Sequence, residues 1–175
     1  FLGVEWVERI QFGGLVDVPD ENGETLAQGP GGGMAIDLFS PDSKEVERLN
    51  LESAIVRGRL PQHPEEILLS EDFAKKLEVK PGDPVTLIST TMFGAMSITN
   101  FTMSGTLKFG AAALDRGGMV ADINSIRNAL DMQDATGEIL GYLPSGNYND
   151  LVANAMSASF NEKYSDPENE FSPVM

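Results

Sequence analysis

Apolar positions are scattered through Val4–Val18 (Val4, Trp6, Val7, Ile10, Phe12, Leu15, Val16, Val18), and they predict one or two strands. Asp20-Glu21-Asn22-Gly23 then predicts a turn, because Asn and Gly tolerate positive φ. Gly29-Pro30-Gly31-Gly32-Gly33 supports neither helix nor strand locally and predicts a mobile loop. Met34–Phe39 is a short apolar strand candidate. Ser40-Pro41-Asp42 predicts a helix start, with Ser40 as N-cap, Pro41 as first helical residue, and Val46 and Leu49 on one face. Ile55-Val56 and a turn around Gly58 follow.

Glu66–Leu69 predicts a strand, and Ser70 a cap for a helix carrying Phe73 and Leu77 at i, i+4 spacing. Pro81-Gly82-Asp83 predicts a tight turn with Gly82 at positive φ. Val85–Thr91 and Ile98–Phe109 read as a long hairpin in which Phe101, Met103, Gly105, Leu107 and Phe109 face one side. Met119–Ile123 and Ile139–Leu143 predict further strands, with a short helix between them carrying Ile126 and Leu130. Asn147 or Asn149 caps a helix over Asp150–Tyr164, striped by Leu151, Val152, Ala155, Met156 and Phe160. A last strand is predicted at Phe171–Met175. Strands and helices mix without a strict βαβ rhythm, so the class is α+β, and no internal repeat is visible.

Composition narrows the functions. Apolar residues make up 41% of 175, enough for a sizeable core. The net charge of −15 repels phosphates and argues against nucleic acid or anionic lipid bound through a basic patch. Without Cys there is no disulfide, thiolate metal site or Cys nucleophile. No apolar run approaches the roughly 18–20 residues of a membrane helix. A first residue of Phe1 rather than Met, with no signal peptide, reads as a piece of something larger.

Most candidate chemistry fails on spacing. His63 is the single histidine, sits in Gln62-His63-Pro64, and no Gly-x-Ser-x-Gly elbow accompanies it, so a solvated loop histidine is the reading. Asp17, Asp20, Glu21 and Glu24 cluster, but Gly23 is fourth from Asp20 where a calcium loop needs its glycine sixth. Gly29–Gly33 has Met34 where a phosphate loop needs its last glycine. The acid pairs Glu65-Glu66 and Glu45/Glu47 read as solvated faces. No catalytic residue, cofactor site or metal site is assigned.

The hairpin tip differs. Met92, Phe93 and Met96 stand where polar turn residues are usual; they read either as an exposed site that contacts a partner or as a tip folded back onto its own domain, and exposure of all three is expected. Each such side chain contributes roughly 1.5–3 kcal/mol when buried. Association itself costs at least ~4 kcal/mol, so the contact is weak and transient.

Several segments together resemble a family. Ile36-Asp37, Ser40-Pro41-Asp42 and Ile55-Val56-Arg57-Gly58-Arg59-Leu60-Pro61 are followed by Glu65-Glu66-Ile67-Leu68-Leu69-Ser70. Val79-Lys80-Pro81-Gly82-Asp83-Pro84-Val85-Thr86-Leu87, Phe101-Thr102-Met103-Ser104-Gly105-Thr106 and Val120-Ala121-Asp122 continue the order. Over residues 34–143 this resembles the MacB-like periplasmic core domain of ABC-transporter permeases, a group that includes FtsX-like and lipoprotein-releasing LolC/LolE types. The resemblance implies a domain between the first two membrane helices of a permease. Its fold would be a membrane-proximal mixed α/β subdomain (1–84 and 144–175) with an inserted β-rich subdomain (85–143). It implies no enzymatic activity in this chain and a periplasmic location on an inner-membrane protein. It also implies transmission of ATP-driven movement in lipoprotein release or efflux. The implied partners are a cytoplasmic ATPase subunit, a second permease copy or homologue, and a periplasmic carrier or lipoprotein. By alignment the carrier-binding hairpin of the lipoprotein-releasing type falls on Thr90–Ile98, where the usual prolines and basic residue are absent.

Two other classes stay open from the residues. One is a free-standing secreted module binding glycans or proteins. The other is an acid-dependent hydrolase, which would need two carboxylates about 5–10 Å apart in a cleft.

Overall fold

A computed structural model describes residues 3–166, 168–169 and 174–175. The chain divides into two compact units, one formed by Glu8–Ile139 and one by Phe1–Val7 with Leu140–Met175. The class is mixed α/β.

The larger unit is a closed six-stranded barrel. Its strands are β1 (Glu5–Pro19), β2 (Thr25–Ile36), β4 (Glu66–Ser70), β5 (Pro84–Thr90), β6 (Met96–Leu107) and β7 (Gly118–Asp122), with β3 (Ile55–Gly58) paired outside on β6. Around the barrel the order is β1-β2-β7-β4-β6-β5 and back to β1. Two neighbouring pairs, β2/β7 and β4/β6, are parallel, and the rest are antiparallel. Strands β5, β6 and β7 are therefore woven into the same barrel as β1, β2 and β4, across the 84/85 position expected to divide two subdomains.

Strands β4 and β7 are buried at every position, and their apolar centres, Ile67–Leu69 and Met119–Ala121, are packed on both faces. Ile67, Leu69, Met119 and Ala121 point into the barrel, with Phe73 from α3 (Glu71–Lys76), Leu77 at its C-cap, and Ile123, Ile126 and Leu130 from α5 (Ile123–Leu130). Leu68, Val120, Leu107 and Ile36 point the other way, into a second core completed by Leu51. Val46 and Leu49 pack against it from α1 (Glu45–Arg48) and the residue after it, and Ala54 from α2 (Leu51–Ala54). The Asp122 carboxylate caps α5 by accepting from the Asn124 and Ser125 N–H groups.

Three local expectations are corrected. Gly29–Gly33 is not a loop; it is the middle of β2, paired to β1 and to β7. Glycine is needed there because large side chains take the space. A Cβ on Gly29 would lie 3.0 Å from the Phe73 ring, and one on Gly33 would lie 2.6 Å from the Phe12 ring. Second, the helix expected at Ser40 begins at Glu45. The Asp37 carboxylate accepts the Ser40 N–H, and Ser43 Oγ donates to the Asp37 carbonyl, so residues 37–43 form a turn. Third, Ser70 is the N-cap residue of α3 but its hydroxyl donates instead to the Asp115 carbonyl, at 2.9 Å, on α4 (Ala112–Asp115).

In the smaller unit, Gly141 of β8 (Glu138–Tyr142) sits against Trp6 and Val4, where a Cβ would come within 2.8 Å of the Trp6 ring. Helix α6 (Asp150–Tyr164) is capped by Asn149, whose side chain accepts the Val152 N–H. Its predicted stripe is not core: no residue of α6 is buried, and Leu151, Val152, Ala155 and Met156 line a shallow apolar depression. Of the strand expected at Phe171–Met175, residues 171–173 lie outside the described residues. No described helix is long and apolar enough to cross a membrane.

Candidate functional site

The tip of the β5–β6 hairpin is the one predicted site, and its geometry is set by a single buried threonine. Register runs from Pro84↔Thr102 to Thr90↔Met96, leaving residues 91–95 to turn the chain. The Thr91 N–H donates to the Ala95 carbonyl, and the Ala95 N–H donates to Thr91 Oγ1. Gly94 supplies the positive φ. The Met92 N–H donates to the Leu130 carbonyl at the end of α5, so the tip is tied to the barrel unit. With the backbone held this way, the three predicted side chains project outward: Met92, Phe93 and Met96 are 52%, 78% and 75% exposed. Ile98, two residues along β6 on the same face as Met96, adds a fourth apolar group at 65%.

Sequence reasoning missed the surface beside the tip. A cleft of about 590 Å³ opens there, lined among others by Gly13, Gly14, Ile88, Thr90, Met96 and Leu130. No charged residue lines it. The signal was present in the sequence: Pro84 to Leu107 is the longest stretch without Asp, Glu, Lys or Arg in a chain of net charge −15.

The other candidates separate. His63 is exposed, in a loop whose carbonyl accepts the Glu66 N–H. Asp20 closes its turn by accepting the N–H groups of Glu24 and Asn22, and those bonds, Glu24's foremost, hold its carboxyl below the ordinary value. Asp17 accepts from Thr25 Oγ1 on the neighbouring strand. Among the described residues no three His, Asp or Glu gather as a metal would need.

Two acids read as solvated are in fact buried. Glu45 accepts from Arg9 at 2.6 Å and Arg48 at 3.1 Å. Glu66 accepts two bonds from the Arg59 guanidinium, at 2.7 and 2.6 Å, and one from the Gln62 N–H. The Arg59 bonds, with the Gln62 N–H, outweigh burial and hold Glu66 down to about 2. At Glu71 burial pushes upward most strongly. The bonds from Thr106 Oγ1, Arg57 and Lys75 together prevail and hold it at about 2. These are structural ion pairs; a general acid would need its pKa raised.

They carry a pH prediction. Both carboxyls bind protons less readily folded than unfolded, so their stabilisation is complete above the ordinary value of 4.5 and is lost as pH falls from there toward 2. With solvent screening, the loss is about 1–2 kcal/mol for each. Urea unfolding from about pH 7 down to about pH 2.5 should show that fall, and Glu71→Gln should remove one share of it. A flat profile would contradict the pairing.

No family model and no curated protein matches this chain.

Proposed function

We propose that the chain is an extracytoplasmic domain of an ABC-transporter permease of the MacB/LolC-LolE kind, without enzymatic activity of its own. In this reading it lies on the periplasmic side of the inner membrane and passes ATP-driven movement to substrate or partner proteins, as in lipoprotein release or efflux. The observation that carries it is the path of the chain. The barrel unit begins at Glu8 and ends at Ile139, and the segments on both sides of it belong to one unit. A displacement applied to those two segments would act on that unit together. The exposed Met92, Phe93 and Met96 give the barrel unit an apolar contact site of the weak, reversible kind a cycling machine needs. The cytoplasmic ATPase, a second permease copy or homologue and a periplasmic carrier or lipoprotein are the partners this reading requires.

The test is made on the full-length gene product in its own cells. It should resist alkaline extraction from membranes, co-purify with an ATPase subunit, and form cross-links from a photoreactive residue at position 93 that change when ATP hydrolysis is blocked. Phe93→Ser should abolish the partner contact while changing stability by no more than about 0.5 kcal/mol, because the ring is exposed. A gene product secreted freely, with no membrane helix on either side of this segment, would leave the secreted binding module as the correct reading.

A further inference from the structure

The chain has no cysteine, so its oxidisable sulfur is confined to eight methionines, all among the described residues. The fold sorts them by access. Met103 and Met119 are buried in the barrel at 0% and 1% exposure, and Met34, Met132 and Met156 are half-buried. Met92 and Met96 stand out at the hairpin tip, and Met175, in the smaller unit, is the third exposed one. Two of the three exposed sulfurs therefore lie on the apolar surface that Phe93 and Ile98 share. The backbone of the tip does not depend on them. The Thr91 and Ala95 bonds close the turn, and it is the Met92 N–H, not its sulfur, that ties the tip to Leu130. Charge selects what can approach. The net charge of −15 disfavours anionic oxidants, whereas a neutral one meets no charged side chain on residues 84–107.

We propose that Met92 and Met96 form a reversible oxidation site for a neutral peroxide, and that oxidation turns the tip from an apolar contact surface into a polar one. A lone pair of the thioether sulfur attacks one peroxide oxygen. The S–O bond forms as the O–O bond breaks; the sulfur is oxidised and the peroxide reduced. The transferred oxygen gives its proton to the departing hydroxide, which leaves as water. The sulfoxide oxygen is a hydrogen-bond acceptor, and burying it against an apolar partner without a donor is unfavourable. A contact held by a few apolar side chains then no longer forms. At the tip the new oxygen projects into water and leaves the fold intact. At Met103 or Met119 it would have to enter the packed barrel, which the closed core resists. The use of this surface as a contact rests on the function proposed above; the oxidation chemistry does not.

The experiment treats the whole folded chain with hydrogen peroxide and maps the products by peptide mass spectrometry. Met92 and Met96 should oxidise about tenfold or more faster than Met103 and Met119, which react only when the barrel opens. Met175 should react as well, so a second readout isolates the tip. On a hydrophobic-interaction column the oxidised chain should elute earlier than the parent, with a melting temperature within about 2 °C of it. Methionine sulfoxide reductases, one for each sulfoxide epimer, should restore the retention. The double variant Met92→Leu/Met96→Leu should match the parent's retention and keep it through peroxide treatment, although its Met175 still oxidises. Met92→Gln/Met96→Gln should elute with the oxidised parent without any treatment. Equal oxidation of exposed and buried methionines would overturn the proposal. So would an equal retention loss in the leucine variant, which would place the change away from the tip, or a loss that the reductases do not reverse. No partner or membrane enters these measurements, so their failure is distinct from a failure of the permease reading.

Discussion

Gly14→Ala is expected to destabilise the chain by about 3 kcal/mol and to lower its melting temperature by about 6–12 °C. An added Cβ at this position lies 2.3 Å from the Ile88 carbonyl oxygen and 3.1 Å from both the Ile88 carbonyl carbon and the Leu87 side chain. The nearest obstacle is backbone, so no rotamer change relieves it. The backbone cannot retreat either, because Leu15↔Ile88 is the adjacent registered pair and β1–β5 closes the barrel with only three such pairs. Relief must open the seam itself. Gly32→Ala is the matched control: it lies in the neighbouring strand, and the nearest atom to its added carbon is the Phe12 carbonyl oxygen at 3.9 Å. It should stay within about 0.5 kcal/mol of the parent. Thermal unfolding followed by circular dichroism separates the two; equal melting temperatures would mean the seam is looser than its geometry.

That contrast explains which parts of the fold could be read from the sequence. Where local pattern and tertiary environment agree, the residues announce the element. The runs Ile67–Leu69 and Met119–Ala121 are apolar because both faces are covered, and Asn22-Gly23 turns because of its own backbone preference. The tip was legible for a related reason: Met92 and Phe93 break the polar habit of turns, and the turn at Thr91–Ala95 leaves them no interior to enter. Legibility failed where a residue's role depends on something distant in sequence. Gly29–Gly33 reads as flexible until Phe73 and Phe12 are placed against it. Glu45 reads as solvated until Arg9, far earlier in the chain, closes over it. The cleft belongs to no single segment, since β1, β5 and the end of α5 each contribute one wall. The stripe on α6 was visible, yet amphipathic spacing alone does not say whether the chain buries it, and here no residue of that helix is buried.

The dependence of the glycine run on one aromatic ring is itself measurable. Phe73 is 0% exposed and is the largest fully buried side chain of the barrel unit. Phe73→Ala should cost about 3–5 kcal/mol, combining lost burial with the cavity left behind. Gly29→Ala should also destabilise, for a different reason: its added carbon meets the Phe73 ring at 3.0 and 3.7 Å, and the other near neighbour is the tip of Leu77 at an ordinary 3.5 Å. Remove the ring, and the obstacle to the alanine is gone. In the double variant the second methyl enters space the first substitution emptied, so the two costs should fall short of their sum by about 1 kcal/mol or more. Urea unfolding of the four proteins closes this cycle. Strict additivity would show that glycine is required at position 29 by the backbone of β2 and not by the ring. The shortfall would show that a stretch with the composition of a loop becomes a strand because Phe73 occupies the room its side chains would have needed.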